Sequence, residues 1–586
     1  MAWYGFKAKV SSISDALPVV RVFSLVKQHK RFLRFFALVS SLALLVAATT
    51  PTIKITGVKK KIAANIEARL TELAKDKPLN HLSDEALSLQ ITKAMEPYGY
   101  FKPEITILSH QPLRIAITPG TQVVISDIRV EIKGEGANND VIKRVLEPLP
   151  LKQGDALNTV KYEELKQTLL NAAEHQGFMR ATFEKSEILI HPNNTASVYL
   201  ILNTGPQFYF GQVRFDPTFI SPDLLKRYIP FHYGQPYSTE QILALNNQLA
   251  FSGYFKNVSV KPQIDSLRHI PVDVHLEPAA RFSYSFGLGY GTDTGVRGRL
   301  GYHVVPLNSS GHKFNAAALG SFKENGLQAQ YVIPGANPVT DQYNITANLA
   351  HLDYNSGASN LVLTSIAQQH TTARFQRTLA LNGLYERYTY TDQPREEKNT
   401  LFPKASFTWL KTTDKLFSPS GYNITLTGLG ASKTLLSDVS FAQASVNIKA
   451  ALTLDSVRTR LYFHSIQGIT EINDINQMPL SLAFLLGGSD NLKGYSYNSL
   501  GPGKILTYNG FEIQKETVDH WYFVVFFDSG DVYMPISKVW KNDAGIGLMW
   551  VSPVGPIKVG IAQPMDNHFN RNDQKPRLVI NMGPDL

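Results

Sequence analysis

Two short stretches in the second half of this 586-residue chain put charge where the surrounding pattern is apolar. Phe526-Phe527-Asp528-Ser529-Gly530 is an aromatic, β-prone run carrying one carboxylate. Leu486-Gly487-Gly488-Ser489-Asp490-Asn491-Leu492-Lys493-Gly494-Tyr495 is a glycine-rich turn that ends in a charge, a glycine and an aromatic ring. A carboxylate inside an apolar strand must face a lumen and find a cation, because its desolvation is otherwise uncompensated. Lys493 is the expected partner of Asp528; the alternative is a solvated surface lysine in an unrelated loop. Other patterns carry no chemistry. His464 and Ser465 are adjacent in a strand, so their side chains point to opposite faces and form no nucleophile–base pair. Gly287-x-Gly289-x-Gly291 and Gly545-Ile546-Gly547 are not followed by a helix, as a nucleotide loop requires. The chain has no Walker pattern, no HExxH and no His/carboxylate spacing that commits to a metal. No catalytic residue, metal or cofactor is therefore expected, and the chain does not read as an enzyme.

The elements that must hold Lys493 and Asp528 are strands. Phe282, Tyr284, Phe286, Leu288 and Tyr290 share one face of a run whose other face is Ser283, Ser285, Gly287, Gly289 and Gly291. The same alternation recurs around Tyr343–Leu349 and Ala444–Leu452. Period two with one apolar face fits a membrane barrel with lipid outside and water within, and fits a soluble sandwich equally well. At about 19 residues per strand and connection, residues 279–586 make about 16 strands, an even number.

The start of the chain bears on that choice. Lys27, Lys30, Arg31 and Arg34 precede a 14-residue apolar run from Phe35 to Ala48, and Thr49-Thr50-Pro51 follows. This order predicts a signal peptide over residues 1–48, with an uncleaved anchor as the alternative. No later stretch reaches the about 20 apolar residues of a spanning helix, so a mature chain that enters a membrane does so as a barrel. Of the formal charge of +10, residues 1–48 supply most, with seven Lys/Arg and one acid, so the basic balance does not point to nucleic acid. With no cysteine, neither a disulfide framework nor a Cys-based zinc site is possible.

Between leader and barrel, one pattern occurs three times: Tyr98-Gly99-Tyr100-Phe101, Gln176-Gly177-Phe178-Met179 and Ser252-Gly253-Tyr254-Phe255, the glycines spaced 78 and 76 residues apart. A constant period of this size is one small module in tandem. Each copy reads as a strand, two helical segments, the Gly-aromatic turn and two more strands. The glycines suit the left-handed residue after a helix, and Tyr100, Phe178 and Tyr254 can fold back beneath it into the core. The expected modules, residues 49–120, 121–204 and 205–278, each leave a sheet edge to which an extended segment could add.

The β-α-α-β-β order, the length and the Gly-Tyr-Phe turn resemble POTRA domains, the periplasmic modules of outer-membrane assembly proteins. Gly234-Gln235-Pro236-Tyr237-Ser238, with Leu249 to Phe255 and Val258, carries most of that likeness. Lys493-Gly494-Tyr495 and Phe526-x-Asp528-x-Gly530 resemble the paired loop and strand motifs of the BamA/TamA superfamily, whose loop normally reads Arg-Gly-Tyr/Phe. Lysine offers one compact charge in place of a planar fork, so a looser dock is expected. Gly545–Gln563, the ending Asn581–Leu586 and the module count of three resemble the TamA-type branch. BamA-type proteins typically carry five modules and two-partner secretion transporters two.

The resemblance implies three tandem POTRA domains and a 16-stranded transmembrane β-barrel in the bacterial outer membrane, the modules in the periplasm. It further implies assistance, without ATP, to outer-membrane or autotransporter substrates, and an inner-membrane TamB-like partner touching the POTRA arm. The first strand, with Gly287 and Gly289, and the last, with Gly583 and Pro584, are locally poor at pairing. Either these residues end strands at the rim, or they mark a labile seam for client strands. BamA-like general insertion, two-partner secretion and a passive outer-membrane pore remain open at this stage.

Overall fold

The computed structural model describes residues 53–586 except 77, 265–267, 415, 536–538, 554, 566–574 and 584–585, so the expected signal peptide and the seam residue Pro584 lie outside the described residues. The chain divides into two units, Met1–Gln207 and Phe208–Leu586.

Helical spacing builds the first module. Ile62, Ile66 and Leu70 line one side of α1 (Lys60–Asp76), and Leu87, Ile91 and Met95 one side of α2 (Asp84–Met95). Both helices bury these rows against Ile115 and Ile117 of a three-stranded sheet, each side chain contributing on the order of 1.5–3 kcal/mol. The Ser83 hydroxyl accepts the Ala86 N–H at 3.2 Å to start α2, and Asp84 and Glu85 complement its dipole. The sheet consists of β1 (Lys54–Thr56), β2 (Glu104–His110) and β3 (Leu113–Thr118) in the order β1-β3-β2, with β1 parallel to β3.

The plan repeats twice. In the second module β4 (Val124–Lys133), β5 (Thr182–Ile190) and β6 (Thr195–Asn203) take the order β4-β6-β5, with α3 (Asp140–Arg144) and α4 (Thr159–His175) between β4 and β5. In the third, β7 (Tyr209–Phe215), β8 (Phe255–Pro262) and β9 (His269–Pro278) take the order β7-β9-β8, with α5 (Pro222–Lys226) and α6 (Thr239–Phe251).

Gly99, Gly177 and Gly253 adopt φ of 84°, 85° and 81°, the left-handed region expected where a helix turns into a strand. Their aromatic neighbours diverge. Tyr100 is half-buried at the first core and Phe178 sits inside the second. Tyr254 instead reaches out of its module, donating its hydroxyl to the Gly311 carbonyl at 2.6 Å. All three turns also receive the chain that follows. The Gly99 carbonyl accepts from Val123 N at 2.9 Å, Gln176 O from Gln207 Nε2 at 2.8 Å, and Tyr254 O from Ala279 N at 3.0 Å. The repeated motif is thus a joint as well as a helix stop.

The third module is seated on the barrel. Lys313 Nζ donates to Ser252 O at 2.6 Å and lies 5.0 Å from the centre of the Tyr254 ring, while Arg227 Nη1 donates to Gly335 O at 2.6 Å. Burial in this seat pushes the Tyr228 hydroxyl up to about 12 and raises that of Tyr254 as well, so Tyr254 keeps the proton it donates.

The barrel is one antiparallel sheet of sixteen strands, β10 (Phe282–Gly291) to β25 (Arg577–Met582), each paired with its sequence neighbours. Phe282, Tyr284, Phe286, Leu288 and Tyr290 are exposed on its outer face. Such an outward apolar face needs lipid, and antiparallel pairing satisfies the backbone within it. The sheet is nearly closed: among the described residues, no ladder pair joins β10 to β25.

The seat predicts one consequence. Tyr254→Phe removes the bond to the Gly311 carbonyl, worth about 1 kcal/mol, and should raise the rate of proteolytic nicking in residues 208–279 of the full chain at least roughly fivefold. Unchanged nicking would show that this hydroxyl does not hold the module.

Candidate functional site

The connection between β20 (Thr459–Ile472) and β21 (Ile505–Val518), residues 473–504, folds into the barrel and is fastened on several walls. Ser481 bonds Glu386 through its N–H at 3.0 Å and its hydroxyl at 2.5 Å, and Ser359 donates to the same carboxylate at 2.6 Å. The hydroxyls of Tyr388 and Tyr390 donate to the Asn476 and Met478 carbonyls at 3.1 and 2.8 Å. Tyr497 donates to Glu324 at 2.7 Å. Leu486, Leu492 and Tyr495 pack with Leu506, Tyr508 and Val532 on the wall. Polar anchors around an apolar plug fix the loop from both ends of its run.

At its centre, Lys493 Nζ stands 2.9 and 3.2 Å from the two oxygens of Asp528, on β22 (Trp521–Tyr533). It also lies 3.4 Å from Glu512 and 4.8 Å from the centre of the Phe526 ring. Glu512 is shared with Lys558 at 2.9 Å, and the Tyr508 hydroxyl donates to Asp528 at 2.9 Å. The Gly494 N–H donates to Asp543 at 2.8 Å, on β23 (Lys541–Ser552). Two ammonium groups and three carboxylates thus meet in a largely buried cluster, with Asp528 and Asp543 fully enclosed. Removing one member would strand the rest, which is the costly case for buried ions.

The motif glycines have steric reasons. A Cβ on Gly494 would lie 2.8 Å from the Asp543 Cβ, and one on Gly530 would lie 2.7 Å from the Thr507 carbonyl oxygen. Both positions need the close backbone approach that only glycine allows. Lys493, Gly494, Tyr495, Phe526, Asp528 and Gly530 are therefore brought into one place.

The seam residues are not gathered in this way. Gly287 and Gly289 face the lumen across from Arg299 and Arg297, and a Cβ at either would meet nothing nearer than 3.9 Å. The two edges meet further along, where Ile580 N donates to Thr292 Oγ1 at 3.2 Å. Gly583 follows β25 at φ 134°, a conformation that disfavours any side chain.

Sequence reasoning missed Glu512, Lys558, Asp543 and Glu386. The signal was present: each is an ionisable residue within a period-two strand, where its side chain must face the lumen and find a partner just as that of Asp528 does.

The chain resembles known proteins along most of its length. Residues 307–585 match the Omp85 superfamily domain, residues 52–119 the POTRA domain TamA domain 1, and residues 208–279 the POTRA surface antigen variable number repeat. BamA from Haemophilus ducreyi lacking POTRA domains 1–3 is similar in fold over 79% of this chain and 99% of its own, at 14% identity and a TM-score of 0.64. CdiB from Acinetobacter baumannii is 11% identical over 89% of this chain and 98% of its own, with a TM-score of 0.44. CdiB from Escherichia coli is 11% identical over 90% and 99%, with a TM-score of 0.46. The two CdiB likenesses are too weak to carry an argument.

The buried cluster sets the second expected outcome. Lys493→Ala leaves Asp528 uncompensated and should cost about 3–5 kcal/mol, lowering the temperature at which the folded barrel loses its gel mobility. Lys493→Arg keeps the charge and should remain close to the parent. Equal unfolding temperatures for the parent and Lys493→Ala would contradict the dock.

Proposed function

This chain is a TamA/BamA-like member of the Omp85 superfamily with POTRA domains, set in the bacterial outer membrane with those domains in the periplasm, and we propose that it acts on β-strand clients at the seam of its barrel. Its coarse function is that of an outer-membrane insertase or translocase. The finer reading is a TamA-type role: insertion or secretion of outer-membrane or autotransporter substrates, driven by folding free energy without ATP.

One observation carries this reading. The six residues of β25 engage the first hairpin at Thr292, beyond the end of β10, and no ladder partner lies along the free edge of Phe282–Gly291 among the described residues. An unpaired edge in a lipid-facing wall is a template for an incoming strand, because each new backbone bond replaces an unsatisfied group in hydrocarbon. A passive pore needs no such edge and no loop fastened across its lumen.

The TamA-type match of the first module supports a TamB-like inner-membrane partner at that end of the arm. We assign residues 1–48 to a signal peptide, 49–120, 121–204 and 205–278 to the three modules, and 279–586 to the barrel. Within that layout Lys493-Gly494-Tyr495 and Phe526-x-Asp528-x-Gly530 hold the loop, and the Phe282–Gly291 edge receives the client.

The chain has no native cysteine, so an engineered pair is the only thiol chemistry present. A disulfide joining Phe282–Gly291 to Arg577–Met582 should abolish assembly of an autotransporter client, and reduction should restore it. Full assembly in the oxidised form would contradict the seam reading.

A further inference from the structure

The inward loop does more than dock on the wall around Asp528. Its tip, Gly488-Ser489, lies between the two edges of the sheet. Ser489 N donates to Asp293 Oδ2 at 2.6 Å, in the turn between β10 and β11 (Gly295–Val304), and Ser489 O accepts from Asn581 Nδ2 at 3.4 Å, on β25. One residue of the loop therefore bonds both sides of the seam. The fit is close: Gly488 has φ 119°, and a Cβ there would stand 2.9 Å from both Asp293 Oδ2 and the Tyr497 ring.

Direct contact between the edges is weaker. Arg577 Nη2 lies 3.7 Å from Asp293 Oδ1, a charge contact without a hydrogen bond. Asp293 Oδ1 and Arg577 Nη1 are both buried with no hydrogen-bond partner among the described residues. The bond from Ser489 N–H to a carboxylate is the charge-assisted one here, and so the stronger.

The tip is also stiffly tied to the buried cluster. Gly487 N donates to Asn491 Oδ1 at 2.7 Å, and Gly488 N to Leu492 O at 3.2 Å, closing a tight turn that leads directly into Lys493. A shift of Lys493 away from Asp528 would carry Ser489 off the seam.

We infer that residues 488–493 form a latch: Asp293 and Asn581 are positioning residues through which docking of Lys493 keeps the first hairpin and the last strand together. This rests on the seam reading of function. It adds that access to the β10 edge is set from inside the barrel, by the loop, and not by the two strands alone.

The test measures amide hydrogen exchange at Ile580, whose N–H crosses the seam, in the full chain in lipid nanodiscs without client. Losing a charge-assisted bond predicts exchange faster by at least about tenfold in Asp293→Ala. Asn581→Ala, which removes no buried charge, should accelerate the same amide and serves where Asp293→Ala folds poorly. Lys493→Ala should accelerate it too, although Lys493 does not touch the seam. Asp293→Asn keeps an oxygen that accepts from Ser489 N but loses the charge, and should exchange faster than the parent yet well below Asp293→Ala. Parent-like exchange in both Asp293→Ala and Asn581→Ala would overturn the latch. So would exchange in Asp293→Asn as fast as in Asp293→Ala, which would assign the effect to the Arg577 charge contact. Acceleration of loop amides but not of Ile580 in Lys493→Ala would overturn the coupling. Because no client is present, none of these results depends on whether the seam inserts substrates.

Discussion

In hydrocarbon every backbone N–H and C=O must find a partner, and a sheet of sixteen strands has only one place where that demand can fail. Fifteen strand pairs satisfy it by sequence neighbours, each hairpin zipping to the next. The sixteenth would have to join residues nearly 300 positions apart, and among the described residues it is not made as a ladder.

The loop answers that problem from within. It crosses the lumen, takes hold of Glu324, Glu386, Asp528 and Asp543 on separate strands, and lays its tip against Asp293 and Asn581. The wall can bear these acidic groups because each is satisfied at close range: Asp528 by Lys493, Glu324 by the Tyr354 and Tyr497 hydroxyls, Glu386 by Ser359 and Ser481, and Asp543 by the Gly494 N–H. Buried ions roughly trade desolvation for attraction, so the cluster adds little net stability while the loss of any one member is costly. Below the barrel, Tyr254 and Arg227 give the third module a fixed seat through bonds to the Gly311 and Gly335 carbonyls respectively.

Much of this was legible in the chain. Period two separates outer from inner face on Phe282–Gly291, and the lone carboxylate in Phe526–Gly530 asks for a cation that the Lys493 turn supplies. The glycine spacing of the repeats marks three modules because each helix must stop at a left-handed residue. What the sequence hides is register over long separation. Gly287 and Gly289 look weak by propensity, yet a side chain would fit at either; the bond between the two edges is made instead at Thr292, just past the end of β10, by Ile580 of the short β25. No local pattern near Asp293 or Asn581 says that Ser489 will come between them. Tyr254 likewise shares its motif with Phe178 but spends its hydroxyl outside its own module, a choice made by what lies next to it.

The central claim is that the outer edge of β10 is unpaired in the resting membrane protein and is paired by a client. Residue-resolved amide exchange along Phe282–Gly291, in nanodiscs, measures it directly. The account predicts that alternate amides, those turned away from β11, exchange fast in the resting protein and become protected when a stalled client strand is present. Uniform protection along this strand without client, equal to that of the strands in the middle of the sheet, would contradict it.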